Sequence, residues 1–381
     1  MPDSLVNRIG SSLPAIVIGT ALVVGIWVMP DLTPADAVPV IGQQSDRGKI
    51  VEALAPDAAG LTRFAVETAA GERVDAVVQD ASAGMPGSSP RDPYEIGDEV
   101  VVTSFTGPAG GFAVISEPWR VPLLAAVAGV FAAAVLLVGG LRGARSLVAL
   151  ALTLTVVVKL VVPLLLRGVD PILLAVGVAA GVTLATLLLT EGVSRVTLAA
   201  TLGTFAALAL TALLAALFTT AAAFTALQGN EEIAFLVPLV GDRVDLNGIL
   251  LAATVFGALG VLDDVTVTQA AAVEQLHRAE PSAGRRGVIT RAMRIGRSHI
   301  AATVNTLMLA YLGAGLPLLL LFALSGSAPL VVLNGEIVAV EVIRALVGSV
   351  GIVAAVPLTT VVAALLMVPH TSEIEPGHAA N

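Results

Sequence analysis

Apolar residues fall along this chain in long, almost uninterrupted runs, not in the half-and-half faces of a water-soluble helix or strand. From Val121 onward there are seven such runs, at about 121–140, 146–166, 171–190, 196–226, 246–268, 299–324 and 337–368, joined by short connectors. An eighth, Leu13–Met29, precedes them. An α-helix needs about 20 residues to cross roughly 30 Å of hydrocarbon, so the pattern predicts a polytopic α-helical membrane protein with about eight transmembrane helices. Between the first and second runs the pattern shortens. Residues 48–54, 62–68, 74–79, 98–103 and 112–115 are strand-like stretches separated by turns, and residues 81–93 are a Gly/Ser/Pro-rich loop. Five short strands predict a small extracytoplasmic all-β insert, OB-like or a sandwich. The reading is a first helix in 1–30, a β domain in 31–118, a seven-helix membrane domain in 119–370 and a polar, disordered tail in 371–381.

Composition agrees with the pattern. Hydrophobic residues make up 56% of the 381 and charged ones 13%, with a mean hydropathy of +0.92. A soluble domain carries nearly twice that charge. The apolar mass is mostly Ala, Val, Leu and Gly, which suits close helix packing in lipid. Cysteine is absent, which excludes disulfides, thiolate metal sites and thiol catalysis. Residues 31–117 hold 14 Asp/Glu against 5 Lys/Arg, so the whole net charge of −9 sits in the insert. An acidic insert lacking a basic, aromatic face is not a nucleic-acid binder.

Connector charge gives an orientation. Arg142, Arg145, Arg195 and the run from Arg278 to Arg297 fall on one side if the N-terminus is inside, and Glu231-Glu232 falls on the other; Arg167 dissents. The expectation is a membrane protein with both termini cytoplasmic and residues 31–118 outside. Ala35-Asp36-Ala37 has the small-x-small form of a leader cleavage site, which leaves retention or removal of Leu13–Met29 open.

The candidate chemistry lies between Leu246 and Gly315. The run from Leu246 ends in Asp263-Asp264 after 17 residues, about 25 Å of helix. The span is therefore expected to continue through Val265–Ala272, with the carboxylates at depth, where ionised groups are costly unless paired or hydrated. Ala253, Gly257, Gly260 and Asp264 recur at intervals of four, three and four, so Asp264 is expected on a small-residue packing face, with Phe256, Leu259 and Asp263 on a bulkier one. Asp264 is the first candidate for ion coupling and Asp263 the second. Alternatively, one aspartate caps a separate cytoplasmic helix and the other faces headgroup water. A basic helical segment, 269–298, follows.

Thr266, Thr268, Gln269, His299, Asn305 and Thr306 are candidates for a polar pathway, against the plainer readings of interfacial placement or helix packing. Glu341 and Arg344 are three apart and read as a structural ion pair. Lys159 is expected to snorkel outward, and Gly313, Gly315 and Pro317 to mark a bend. No metal spacing, nucleophile elbow or phosphate loop is present. No metal, cofactor or catalytic residue is expected, and adjacent aspartates on different helix faces cannot form an aspartyl dyad.

The stretch Gly257-Ala258-Leu259-Gly260-Val261-Leu262-Asp263-Asp264-Val265-Thr266-Val267-Thr268-Gln269 resembles the YibE/F family of bacterial membrane proteins. So do Gly296-Arg297-Ser298-His299-Ile300, Asn305-Thr306-Leu307, Leu309-Ala310-Tyr311 and Glu341-Val342-Ile343-Arg344. The likeness covers about 120–370 and implies a multi-span protein without an assigned activity. The order of an acidic span end, a basic segment and a span with Asn-Thr also looks like the SecD/SecF part of the RND permease superfamily, which implies proton coupling; two additional spans before Asp263 depart from that plan. The functional expectation is a non-enzymatic, proton- or cation-coupled secondary transporter or export accessory. The alternative is a non-transporting scaffold or sensor whose external domain binds a partner. The lipid bilayer is the expected surrounding, an unidentified solute or protein the partner, and self-association into a homo-oligomer is left open.

Overall fold

The structure, a computed structural model, describes residues 3–34, 43–56, 61–78, 94–107, 110–225 and 244–369. The loop expected at 81–93, the stretch Ala35–Ala37, Glu231-Glu232 and the tail 371–381 lie outside the described residues. The chain divides into two compact units, residues 35–137 and residues 1–34 with 138–381.

The first unit is a closed five-stranded barrel, which decides between the two β architectures expected. β1 (Gln43–Leu54), β2 (Arg63–Thr68), β3 (Arg73–Val78), β4 (Glu99–Gly107) and β5 (Gly110–Pro118) are ordered β1-β2-β3-β5-β4, and β4 pairs back onto β1. Closure is possible because β1 is long: it pairs with β4 along Gln43–Lys49 and with β2 along Gly48–Leu54. A register irregularity between Ile50 and Glu52 bends it round the corner. Alternation does the rest. Phe64 and Val66, Val100 and Val102, and Ala113 and Ile115 point inward around Ile50, while Arg63–Asp75 and Arg47–Glu99 ion pairs lie outside.

The second unit is helical: α1 (Asp3–Val28), α2 (Val121–Leu166, its residues up to Leu137 belonging to the barrel unit), α3 (Pro171–Glu191), α4 (Arg195–Ala221), α5 (Leu246–Ala279), α6 (Gly284–Ala314), α7 (Leu316–Leu324), α8 (Pro329–Asn334) and α9 (Glu336–Met367). Local chemistry sets the ends. Asp170 accepts a hydrogen bond from the Leu173 N–H ahead of Pro171, and Ser194 accepts one from the Thr197 N–H.

Among the described residues, α2, α3, α4, α5 and α9 are long and apolar enough to cross a bilayer, and α6 with α7 makes a sixth, bent by 59° at Gly315. The count by length among these residues is thus five or six. Leu13–Val28 is shorter, and the runs expected at 121–140 and 146–166 are joined in one helix of 46 residues. That helix breaks at Gly140, whose φ of 54° and ψ of −133° suit a residue without a side chain. The expected basic helix 269–298 is also not separate. α5 runs unbroken to Ala279 and α6 starts at Gly284, so the basic residues are shared between two helix ends.

α4, α5 and α9 form the heart of the bundle, with α3 and α6 against α5 and α9. Close approach is built in: a Cβ at Gly203 of α4 would collide with Thr359 of α9, and one at Gly351 of α9 with Thr211 of α4. At one end, Val196, Val273, Val288 and Val368 share a cluster, so the connectors carrying Arg195 and Arg278–Arg297 lie together there. Leu251, Ala215 and Val347 mark the other end.

Candidate functional site

Asp263 and Asp264 occupy the middle of α5, with 17 residues before the pair and 15 after it. The continuous helix removes the capping alternative, because an N-cap must have non-helical backbone. Successive residues on a helix point about 100° apart, so the two carboxylates enter different surroundings.

Asp263 is half-buried and faces the heart of the bundle. Thr183 of α3 donates its hydroxyl to the carboxylate, at 3.1 Å to Oδ1 and 3.3 Å to Oδ2. The Thr204 hydroxyl of α4 lies beside the same carboxylate. Thr204 and Thr266 share a hydroxyl–hydroxyl bond of 2.7 Å, and Thr266 reaches the Asp263 carbonyl at 3.1 Å. Each hydroxyl has one proton, so this chain has two polarities. Thr204 can donate to the carboxylate while accepting from Thr266, or turn to Thr266 while Thr266 donates to the Asp263 carbonyl. Among the described residues no Lys, Arg or His forms an ion pair with Asp263.

Asp264 is exposed, within electrostatic reach of half-buried His299 on α6. Its whole face is open: Ala253, Gly257 and Gly260 are exposed too, which corrects the expectation that this row packs against neighbours. The reason is the distribution of small residues. α5 presents the row of Val255, Leu259 and Leu262 to its partners, and Ala175 and Ala179 of α3, Gly203 and Ala207 of α4 and Ala355 of α9 supply the close approach. The smaller face of α5 is left toward α6, where the Tyr311 hydroxyl lies beside Gly257.

The other expected residues separate into two groups. Thr266 and Gln269 are fully buried, and the Gln269 amide donates to the Ala292 carbonyl of α6 at 2.9 Å and to Thr360 Oγ1 of α9 at 2.6 Å. Gln269 therefore ties three helices one to two turns from Asp263. Thr268, Asn305 and Thr306 are exposed, and the Thr306 hydroxyl returns to its own helix at Ala302. Asn305 and Thr306 do not join the Asp263 network. Glu341 and Arg344 form the expected ion pair at 2.6 Å. Lys159 does not extend free: its Nζ lies 5.1 Å from the Trp27 ring centre, and the Trp27 indole N–H donates to Thr155.

Thr183 and Thr204 were not singled out in the sequence. A signal existed in the threonines at 183, 186 and 190 and at 197, 201, 204 and 211, which follow helical spacing in apolar runs. Most serve only their own helix, as Thr190, Thr201 and Thr211 do by bonding the carbonyl four residues back. Thr183 and Thr204 reach across instead.

Long apolar helices closed around hydroxyl groups and one carboxylate define an integral membrane protein. Residues 127–369 match the family described as YibE/F-like protein, and the chain belongs to that family. Comparison with curated proteins and with solved structures gives no match.

Proposed function

We propose that this chain is a secondary transporter, or the energy-coupling part of an export machine, in which Asp263 binds and releases a proton or a small cation. The carrying observation is a carboxylate inside the bundle that accepts the Thr183 hydroxyl, lies beside the bonded Thr204–Thr266 hydroxyls and is paired with no described cation. A scaffold has no need of such a group, because an unpaired ionisable side chain at membrane depth costs stability. The reversible Thr204–Thr266 chain suits a group that changes charge: hydroxyl donors meet the carboxylate when it is ionised and turn away when it is neutralised. No covalent chemistry is required, so the reading is transport without an enzymatic step.

The bundle is proposed to span a bacterial plasma membrane in eight crossings, counting Leu13–Val28 and the two parts of α2 on either side of Gly140. Both termini are proposed to be cytoplasmic. The clustering of Arg195 and Arg278–Arg297 at one end of the helices supports that choice, because positive connectors stay inside. The end of α9 and its Val368 carbonyl, held by Arg285, lie at the same end.

The test is flux into proteoliposomes containing the full chain, with an imposed proton or sodium gradient and a pH- or sodium-sensitive dye inside. The expected result is protein-dependent ion flux that falls more than tenfold in Asp263→Asn and less in Thr183→Val, with Asp264→Asn the milder of the two aspartate variants. Undiminished flux in Asp263→Asn, or no protein-dependent flux with either ion, would sink the proposal.

A further inference from the structure

The six arginines from Arg278 to Arg297 are not used alike. Arg278 pairs with Glu274 at 2.8 Å, Arg291 pairs with Glu280, and Arg285 donates to the Val368 carbonyl at 2.9 Å. Arg286, Arg294 and Arg297 are exposed and make no ion pair with a described residue. Helical spacing brings these three onto one side. At about 100° per residue, Arg297 and Arg294 stand about 20° and 80° round α6 from Arg286. The buried Val288, Ala292 and Gly296 fall at about 200–280° on the same scale, and a Cβ at Gly296 would meet Gln269 of α5 and Val356 of α9. The arginine row therefore looks away from both helices.

Depth identifies what it meets. The Gln269 amide donates to the Ala292 carbonyl at 2.9 Å, and the same Cβ at Gly296 would lie 2.9 Å from Gln269 Oε1, so Arg294 is level with Gln269. Arg297 is about one turn nearer the middle of the bundle. Counting about 20 residues of α5 from Leu246 for roughly 30 Å of hydrocarbon ends at Val265, and Gln269 is about 6 Å further on, within the headgroup layer. Arg286 stands about 12 Å beyond Arg294, in water. A guanidinium that faces lipid at the hydrocarbon edge is costly unless its head reaches an anion.

We propose that Arg294 and Arg297 form a binding site for the phosphate of an anionic phospholipid. Residues three apart on a helix have Cβ atoms about 5–6 Å from one another, so the two guanidinium forks can close on one phosphate. The phosphate of a zwitterionic lipid carries its own cation beside it, whereas that of phosphatidylglycerol leaves its whole charge to the protein. An acidic partner in water would instead draw most on Arg286, the outermost of the three. The site needs only a bundle that crosses a bilayer, and it is independent of the transport reading.

The experiment is native mass spectrometry of the full chain in detergent, titrated with dioleoylphosphatidylglycerol and with dioleoylphosphatidylcholine, reading the affinity of the first lipid bound. A preference for phosphatidylglycerol of at least about tenfold is expected. The double variant Arg294→Gln/Arg297→Gln should lose most of it, while Arg286→Gln and Arg278→Gln keep it. All four side chains are exposed, so the thermal midpoint of the lipid-free chain should not change. A second measurement uses the unaltered chain and remains valid if the double variant fails to fold: a large excess of hexaglutamate should leave bound phosphatidylglycerol in place. Equal affinity for the two lipids, a preference unchanged in the double variant, a loss in Arg286→Gln as large as in the double variant, or displacement by hexaglutamate would overturn the proposal. The last two results would assign the row to a soluble acidic partner.

Discussion

The two sides of α5 are built on opposite plans. Toward α4 and α9 the helices interlock: Gly203 takes the side chain of Thr359, Gly351 takes Thr211, and Leu208, Val255, Leu262 and Ile352 fill the space between. Toward α6 and α7 the residues of α5 are small and exposed, α6 buries only Val288, Ala292 and Gly296, all near its start, and a cavity remains beyond. One side is a rigid block that fixes the carboxylate of Asp263, and the other is loosely filled and able to rearrange. Regions that move are drawn from the less densely packed parts of a protein, so function is expected to need both.

Identical substitutions on the two sides break or sharpen this contrast. Gly203→Ala should have the largest effect, because the added methyl group meets the backbone as well as the side chain of Thr359, and strain of this kind costs about 1–3 kcal/mol. The midpoint of thermal unfolding in detergent, followed by size-exclusion chromatography, should fall by several degrees; an unchanged midpoint would mean that α4 and α9 are not interlocked. Gln269→Ala should be next, at about 2 kcal/mol, because it takes a fully buried amide from the Ala292 carbonyl and Thr360. Double substitution with Thr360→Val should cost less than the sum of the single losses. Gly313→Ala on α6 should be smallest and of opposite sign. Beyond its own stretch of helix backbone, no atom lies within 4 Å of the added methyl group, and alanine favours a helix over glycine by up to about 1 kcal/mol. A loss there as large as at Gly203 would remove the distinction between the sides.

Much of this was legible in the residues. Five strands were expected and five occur among the described residues, because β alternation survives in short stretches and barrel closure needs only that the inward positions are apolar. The bend at Gly315 and the continuation of α5 past Asp264 followed from Gly and Pro placement and from helix length. The relative burial of the two aspartates was not legible. Small residues at intervals of three and four mark a surface that can be approached closely, but α5 is approached through small residues on α3, α4 and α9, so the bulky row of Asp263 is the enclosed one. Which threonine reaches across a helix pair depends on interhelical distance, a tertiary quantity absent from the spacing along one helix. The eight-run pattern likewise could not show that the chain stays helical from Val121 to Leu166 with only Gly140 to break it.

The position of Asp263 along α5 has a mechanical consequence. The helix is 34 residues long, a rod of about 51 Å, and 17 residues precede the aspartate while 16 follow it. A rod tilted about its midpoint keeps that point still while its ends travel in opposite directions. Leu250, at the cavity, is about 20 Å from the midpoint on one arm, and the Gln269 tie is on the other. Each degree of tilt moves Leu250 by about a third of an ångström, so about 10° displaces it by more than 3 Å. The carboxylate is then the fulcrum of a seesaw, able to keep its hydroxyl neighbours while the far walls change places.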